Sequence, residues 1–230
     1  MTAAALRLGG LFLAMAAALG GDNDFAPHLP SYGVLVLRAP WEIPVGPAGN
    51  GHAGIYLGGA LVLTAAHVAG RGEALTVVVE GRRLGARLVK AGDFAETDVS
   101  LLTLQPEDLP RRLAELPALR LCEEPPQTGE AVTVVDYRQL SFSTIVSPEV
   151  LPPGVSWKFS SLISDVYTTG NSGSGVFSIG GRCLAGIMSR KVERQVTDAS
   201  GIARTEGVAK YFVPATEIRA FLGDASGLLR

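Results

Sequence analysis

Cysteine is almost absent from this chain: two residues, Cys122 and Cys183, in 230. With no Cys-x-x-Cys pair and no Cys/His cluster, the sequence argues against a structural zinc site. The two thiols leave two readings open, a disulfide in an exported protein or a pair of buried free thiols. Charge is sparse as well. Charged residues make up 18% and the formal net charge is -2, too little of either sign to draw the chain to nucleic acid or to an anionic membrane surface. Beyond Leu19 no apolar run is long enough to span a bilayer. Glycine and proline, by contrast, are plentiful, with 28 and 14 residues, and they cut the chain into short segments.

The N-terminal stretch has its own logic. Arg7 precedes the apolar run Leu8–Leu19, which is shorter than the roughly 20 residues a spanning helix needs. Small residues at Ala18 and Gly20 suit signal-peptidase cleavage, and polar, acidic sequence begins at Asp22. The pattern predicts a secreted or periplasmic protein. Residues 1–20 then form a signal peptide or signal anchor and 21–31 a linker. The rival reading is an ordinary N-terminal helix.

From Tyr32 onward, short Val- and Leu-rich runs alternate with Gly, Pro and Asp. Strands are expected at Gly33–Arg38, Ala53–Leu57, Ala60–Thr64, Leu75–Val79, Ala86–Lys90 and Val99–Leu104. A proline-studded, charged stretch from Gln105 to Pro125 reads as a connection. A second group of strands is expected at Ala131–Tyr137, Leu140–Ile145, Val155–Phe159, Gly175–Ile179, Cys183–Ser189 and Val208–Phe212. Pro214–Leu222 has apolar residues at helical spacing after a first-turn proline and predicts a short terminal helix. The pattern is that of an all-β barrel or sandwich, not of βαβ units.

Three segments carry chemistry. In Leu63-Thr64-Ala65-Ala66-His67-Val68 an apolar strand runs into small residues that let a tight turn present an imidazole. In Thr97-Asp98-Val99-Ser100-Leu101-Leu102 a carboxylate leads into a strand, where it could fix the tautomer of an adjacent imidazole. Its rival Asp93, after Gly92, is accounted for by a surface turn. In Thr168-Thr169-Gly170-Asn171-Ser172-Gly173-Ser174-Gly175 glycines flank Ser172 and free the backbone for close approach. Such a loop supplies the backbone N–H groups that an oxyanion needs, from Gly170 and Ser172. His28 and His52 read as structural histidines.

Taken in chain order, His, Asp, Ser, these segments resemble the trypsin-like, chymotrypsin-fold serine proteases. The Thr64-Ala65-Ala66-His67 motif is present in full. Asn171 with Thr168-Thr169 before it looks like the bacterial glutamyl-endopeptidase branch. The resemblance covers about 32–222 and implies two antiparallel six-stranded β-barrels with a short C-terminal helix, barrel one at about 32–104 and barrel two at about 126–213. It implies a serine endopeptidase with His67, Asp98 and Ser172 as catalytic residues, a peptide or protein as substrate, and no metal or organic cofactor. Gly186-Ile187-Met188-Ser189 resembles the cleft-lining strand, whose serine hydroxyl binds the aspartate. Val166, Arg190 and Lys191 fall at the implied substrate cleft. The two basic residues suit acidic substrate side chains by charge complementarity, or simply begin a solvated hairpin.

The sequence also departs from the family. Gly175 stands where proline is common, and no Ile-Val-Gly-Gly activation terminus stands after the leader. Asn171 lacks the charge to pair with a new N-terminus, and Val166 beside Asp165 does not make a trypsin-like acidic pocket floor. The competing readings are a catalytically silent binding module on the same fold and a non-proteolytic esterase. The esterase elbow requires a histidine after the serine, and the sequence has none beyond Ser172. A further PDZ-type domain is not expected, since the second barrel needs most of the residues after Ser172.

Overall fold

A computed structural model describes residues 26–38, 52–71, 74–155, 160–164, 172–198 and 200–223. Within them the strands close into two antiparallel barrels. The first uses β1 (Gly33–Arg38), β2 (His52–Gly58), β3 (Leu61–Thr64), β4 (Leu75–Val79), β5 (Arg82–Lys90) and β6 (Ser100–Leu104), in the order β1-β2-β3-β6-β5-β4. The second uses β7 (Ala131–Val135), β8 (Leu140–Val146), β9 (Leu162–Ile163), β10 (Gly175–Ser178), β11 (Leu184–Thr197) and β12 (Ala203–Pro214), in the order β10-β11-β12-β9-β8-β7. Among the described residues four short α-helices accompany them, besides isolated 3-10 turns: α1 (Leu29–Tyr32), α2 (Ala66–Ala69), α3 (Arg111–Ala114) and α4 (Ala215–Leu222).

The strand residues explain the closure. In β4, Leu75, Val77 and Val79 are buried while Thr76 and Val78 are partly exposed, the period of two that a half-buried strand requires. One apolar cluster fills barrel one through Val36, Ile55, Val62, Leu63, Val77 and Leu102. It continues across the seam to Val135, Phe177, Ile187 and Val213. A second cluster fills barrel two with Val132, Val134, Ile145, Ile163, Val176 and Phe212. Because the first cluster crosses the seam, the two barrels share one apolar core.

Several boundaries differ from the sequence reading for physical reasons. Within the stretch read as a linker, Ala26–His28 and Leu29–Tyr32 coil into helical turns that bury Leu29 and Tyr32, and the Tyr32 hydroxyl donates to the Pro117 carbonyl at 2.8 Å. The expected strand Val155–Phe159 does not form at Val155, which lies in a turn, and 156–159 fall outside the described residues. Its place is taken by the two-residue β9, which pairs with both β8 and β12. β11 runs well past Ser189, and β12 begins well before Val208. Polar cross-strand pairs hold this extension, Arg194 with Glu206 at 2.9 Å and Gln195 with Thr205 at 2.8 Å, so it carries no apolar signature. Pro214 ends β12 and caps α4 instead of opening it. The face of α4 formed by Ala215, Ile218 and Leu222 is buried.

Of the two readings of the cysteines, the structure has the disulfide. Cys122 and Cys183 are joined with Cα atoms 5.0 Å apart and a sequence separation of 61. The bond clips the inter-barrel connection to the start of β11, where the Cys122 amide also donates to the Leu184 carbonyl at 2.9 Å. The Arg219 guanidinium of α4 donates to the Cys122 carbonyl at 2.9 Å. Closing a loop of this length restricts the unfolded chain by about 4 kcal/mol in the chain-entropy treatment. Replacing both cysteines by alanine is expected to lower unfolding free energy by about 2–4 kcal/mol. Urea melts of oxidised wild type and the double variant check this, and equal midpoints would contradict it.

Candidate active site

His67 sits in the single turn of α2, entered from β3 through Ala65 and Ala66, which are 0% and 7% exposed. Only small side chains fit there, and the turn closes with the Val68 and Ala69 amides on the Ala65 carbonyl, both at 3.1 Å. This geometry aims the backbone and the ring of one residue at the same carboxylate. The His67 amide donates to Asp98 Oδ1 at 3.0 Å, and Nδ1 lies 2.8 Å from Asp98 Oδ2. Since an ionised carboxylate only accepts, Nδ1 is the donor in this bond, and Nε2 is the ring nitrogen that Asp98 does not engage. The ring remains open on its other side, with the His67 side chain 28% exposed against 1% for Asp98.

Burial raises the Asp98 pKa, but the hydrogen bonds from the His67 ring, the Ser189 hydroxyl and the His67 amide outweigh it. The net value falls below that of an ordinary aspartate. The Ser189 hydroxyl donates to Asp98 Oδ2 at 2.6 Å, so a residue of barrel two completes the shell of a carboxylate from barrel one.

Ser172 lies at the seam. Its carbonyl accepts the Ala53 amide of β2 at 2.9 Å, and the Gly173 amide donates to the Met188 carbonyl at 2.8 Å. Gly173 has φ +90, and a Cβ there would stand 1.8 Å from the Ala53 carbonyl oxygen, so no other residue fits this contact. The Ser172 hydroxyl donates to the Ser189 carbonyl at 3.0 Å. Among the described residues no hydrogen bond joins it to His67. His67, Asp98, Ser189 and Ser172 therefore form one connected chain in which the hydroxyl faces the Ser189 carbonyl and not the imidazole.

Two neighbours are invisible to sequence patterns because they meet His67 only through space. Phe94 stands edge-on to the imidazole with ring centroids 5.2 Å apart, and His52 does the same at 6.3 Å. Arg190 stacks on Phe94, its guanidinium carbon 4.1 Å from the ring centre, and donates to the Phe94 carbonyl. Its strand partner Tyr211 has its pKa pushed up to about 12, first by burial and then by Glu217, and stays neutral. Lys191 pairs with Glu193. Asp93 serves its surface turn, holding Arg71 and the Ala95 amide, each at 2.8 Å. His28 is exposed. Val166, Gly170 and Asn171 lie outside the described residues. A cavity of about 440 Å³ opens elsewhere, lined by Pro30, Leu35, Val79, Arg112 and Tyr137 among others, and none of the cluster lines it.

The lowered pKa of Asp98 couples this cluster to stability. A carboxylate whose pKa is depressed on folding contributes fully above its unfolded value of about 3.9. That contribution is lost as pH falls through the folded value. Wild type is therefore expected to lose thermal stability below about pH 4 more steeply than Asp98→Asn. Melting temperatures of both proteins from pH 7 to pH 2 check this, and parallel curves would contradict it.

The arrangement can be set beside known proteins. By structure the chain is similar to the protease Rv3671c of M. tuberculosis in its inactive form, with TM-score 0.58 and 19% identity over 88% of this chain and 92% of that one. It is similar to a human pathogenic astrovirus serine protease, with TM-score 0.51 and 20% identity over 80% and 90%. It is also similar to kallikrein-related peptidase 10 in complex with Zn2+, with TM-score 0.58 and 20% identity over 86% and 95%. At these identities the likeness is one of fold. No curated protein matches the sequence. The family model described as "Trypsin-like peptidase domain" matches residues 52–187, from the start of β2 through Ile187 of β11, and this chain belongs to that family.

Proposed function

We propose that the protein is a serine endopeptidase that hydrolyses peptide bonds through an acyl-enzyme on Ser172, with His67 and Asp98 as its partners. The observation that carries this reading is the doubly bonded imidazole. A buried carboxylate holds His67 by both ring and amide, which leaves Nε2 to act as the base, and the same carboxylate is linked through Ser189 to the Ser172 hydroxyl. Ser172 Oγ attacks the carbonyl carbon as Nε2 takes its proton, and Asp98 stabilises the imidazolium without taking that proton itself. The amides of Gly170 and Ser172 are assigned to the oxyanion, where losing one donor typically costs about 10²–10³ in turnover. His67 then protonates the departing amine as the C–N bond breaks. A water, deprotonated by His67, releases the acid and restores Ser172.

One step precedes the attack. The Ser172 hydroxyl must turn from the Ser189 carbonyl to Nε2. Catalytic hydrogen bonds are often misaligned without substrate and tighten when it binds. A substrate strand laid on β11 would bring its own amide to the Ser189 carbonyl and compete with the hydroxyl for it. The same bond favours a second reading, a binding module on the protease fold that never deploys its serine. Fluorophosphonate separates the two. We expect wild type to be labelled and Ser172→Ala to be silent. Labelling that persists in Ser172→Ala would defeat the role of Ser172, and an unlabelled wild type would favour the silent module.

The reading extends to substrate and place. Thr168-Thr169-Gly170-Asn171-Ser172 resembles the bacterial glutamyl-endopeptidase branch, and Arg190 adds positive charge to the wall beside His67. An acidic side chain near the cut is expected by complementarity. The disulfide suits an oxidising compartment and agrees with the leader at Leu8–Leu19, which supports action in the periplasm or outside the cell. Cleavage of a peptide library by leaderless protein should enrich Glu or Asp beside the cut. A basic or flat profile would remove this refinement and leave the peptidase reading intact.

A further inference from the structure

The cavity of about 440 Å³ lies where four elements meet: α1, the β4–β5 turn, α3 and the β7–β8 turn. A Cβ on Gly33 would stand 2.3 Å from the Asp136 carbonyl oxygen, so this glycine lets the β7–β8 turn close against β1 and seats Tyr137 in the wall. The volume is that of a small-molecule site.

Part of the wall is apolar where barrel one does not require it. β1 turns Val34 and Val36 inward, and β4 turns Val77 and Val79 inward. Leu35 and Val78 lie on the other face of the same two strands, directly paired with each other and only half-buried. The outer face of a solvated antiparallel barrel ordinarily carries polar residues at such places. These two belong to neither apolar cluster. What stands over them is the cavity, with Pro30 and Leu113 also in its wall.

The same cavity is lined by a guanidinium. Arg112 of α3 donates to the Ser31 hydroxyl at 2.8 Å, and to Glu80 Oε1 only at 3.4 Å. A well-made bond between a guanidinium and a carboxylate is about 2.7–2.9 Å long. Glu80 sits at φ +50 in the two-residue turn Glu80-Gly81, where Asn, Asp or Gly is the usual choice. It therefore marks a place for a carboxylate on Arg112 and fills that place poorly. Arg83 is paired with Val78 and so shares its face of the sheet. Arg83 is exposed and brings a second positive charge to the rim. Two guanidiniums against one carboxylate leave the mouth of the cavity with positive charge in excess.

We infer that this cavity binds a small carboxylic acid with an unbranched apolar chain, of the medium-chain fatty acid class. The ligand carboxylate takes the place of Glu80 on Arg112, with the shorter charge-assisted bonds that a planar guanidinium favours. Its chain covers Leu35 and Val78, and their burial supplies the rest of the affinity. The inference is independent of the peptidase reading, because none of the residues around Asp98 and Ser172 lines this cavity.

Isothermal titration calorimetry on the full chain tests it, with sodium butanoate, hexanoate and octanoate, each below its micellar range. Burying one methylene corresponds to about a fourfold gain in affinity. Each two-carbon step should therefore tighten binding about tenfold until the cavity is full. Octan-1-ol, with the same chain and no charge, should bind at least tenfold more weakly than octanoate. Arg112 is exposed, so Arg112→Gln should leave the fold intact, bring octanoate down to the affinity of the alcohol and leave the alcohol unchanged. Val78→Trp fills the cavity and should abolish binding of both, with a thermal melt to show that the variant is folded. No octanoate binding, no dependence on chain length, or equal binding of acid and alcohol would overturn the inference. So would octanoate binding that is unchanged in Arg112→Gln, a result that stands whether or not Val78→Trp folds. Binding that survives both substitutions would belong to the apolar leader at Leu8–Leu19 and would overturn it as well. Fluorophosphonate labelling of Ser172 is read separately and bears on none of these outcomes.

Discussion

At Asp98 a full negative charge is held at 1% exposure between two barrels. Taking a carboxylate out of water costs several kcal/mol, and only well-placed donors offset that cost. The donors here are the amide and ring of His67 and the hydroxyl of Ser189. Two belong to α2 of barrel one and one to β11 of barrel two. Loss of any of them leaves a buried charge short of a partner, so the carboxylate disciplines both barrels at once. Because Ser189 is fixed through its side chain, its carbonyl is fixed too, and with it the partner of the Ser172 hydroxyl.

A second registration lies on the far side of the same seam. Ala53 gives its amide to the Ser172 carbonyl, while its own carbonyl takes the Thr64 hydroxyl at 2.7 Å and packs against the bare Cα of Gly173. Thr64 ends the strand that delivers His67. The loop bearing Ser172 is therefore located by the same two strands, β2 and β3, that place the imidazole. Serine and histidine come from different barrels, yet their separation is set by a few hydrogen bonds and one glycine, and not by how the two apolar clusters happen to settle.

These relations divide what a sequence can disclose from what it cannot. Val- and Leu-rich runs such as Leu75–Val79 show their period, and the strand lies where the pattern predicts. His67, Asp98 and Ser172 are embedded in local motifs, and Asp98 is separable from Asp93 because only Asp98 leads into an apolar strand. The ribbon beyond Ser189 is illegible because Arg190, Lys191, Glu193 and Arg194 look like a loop; their strand character comes from partners more than ten residues away, as Arg194 and Glu206 show. β9 is too short to have a period at all. Phe94 and His52 acquire meaning only from through-space contact, and the turn of the Ser172 hydroxyl to the Ser189 carbonyl is a rotamer, which no motif encodes.

The wall formed by Phe94 and Arg190 shows how such contacts shape chemistry without dominating stability. A cation–π contact at an exposed site is worth about 0.5–1 kcal/mol, and Phe94 is 48% exposed. That is too little to hold two barrels together, a task that the apolar seam and Asp98 already perform. Its effect is local. Phe94 comes from the loop before Asp98 and Arg190 directly succeeds Ser189, so the stack is anchored on both sides of the buried carboxylate. It covers one side of the imidazole with an aromatic ring and sets a guanidinium behind it. The same carboxylate that orients the His67 ring thus lies between the two residues that build its surroundings, an aromatic ring next to the imidazole and a guanidinium one layer out.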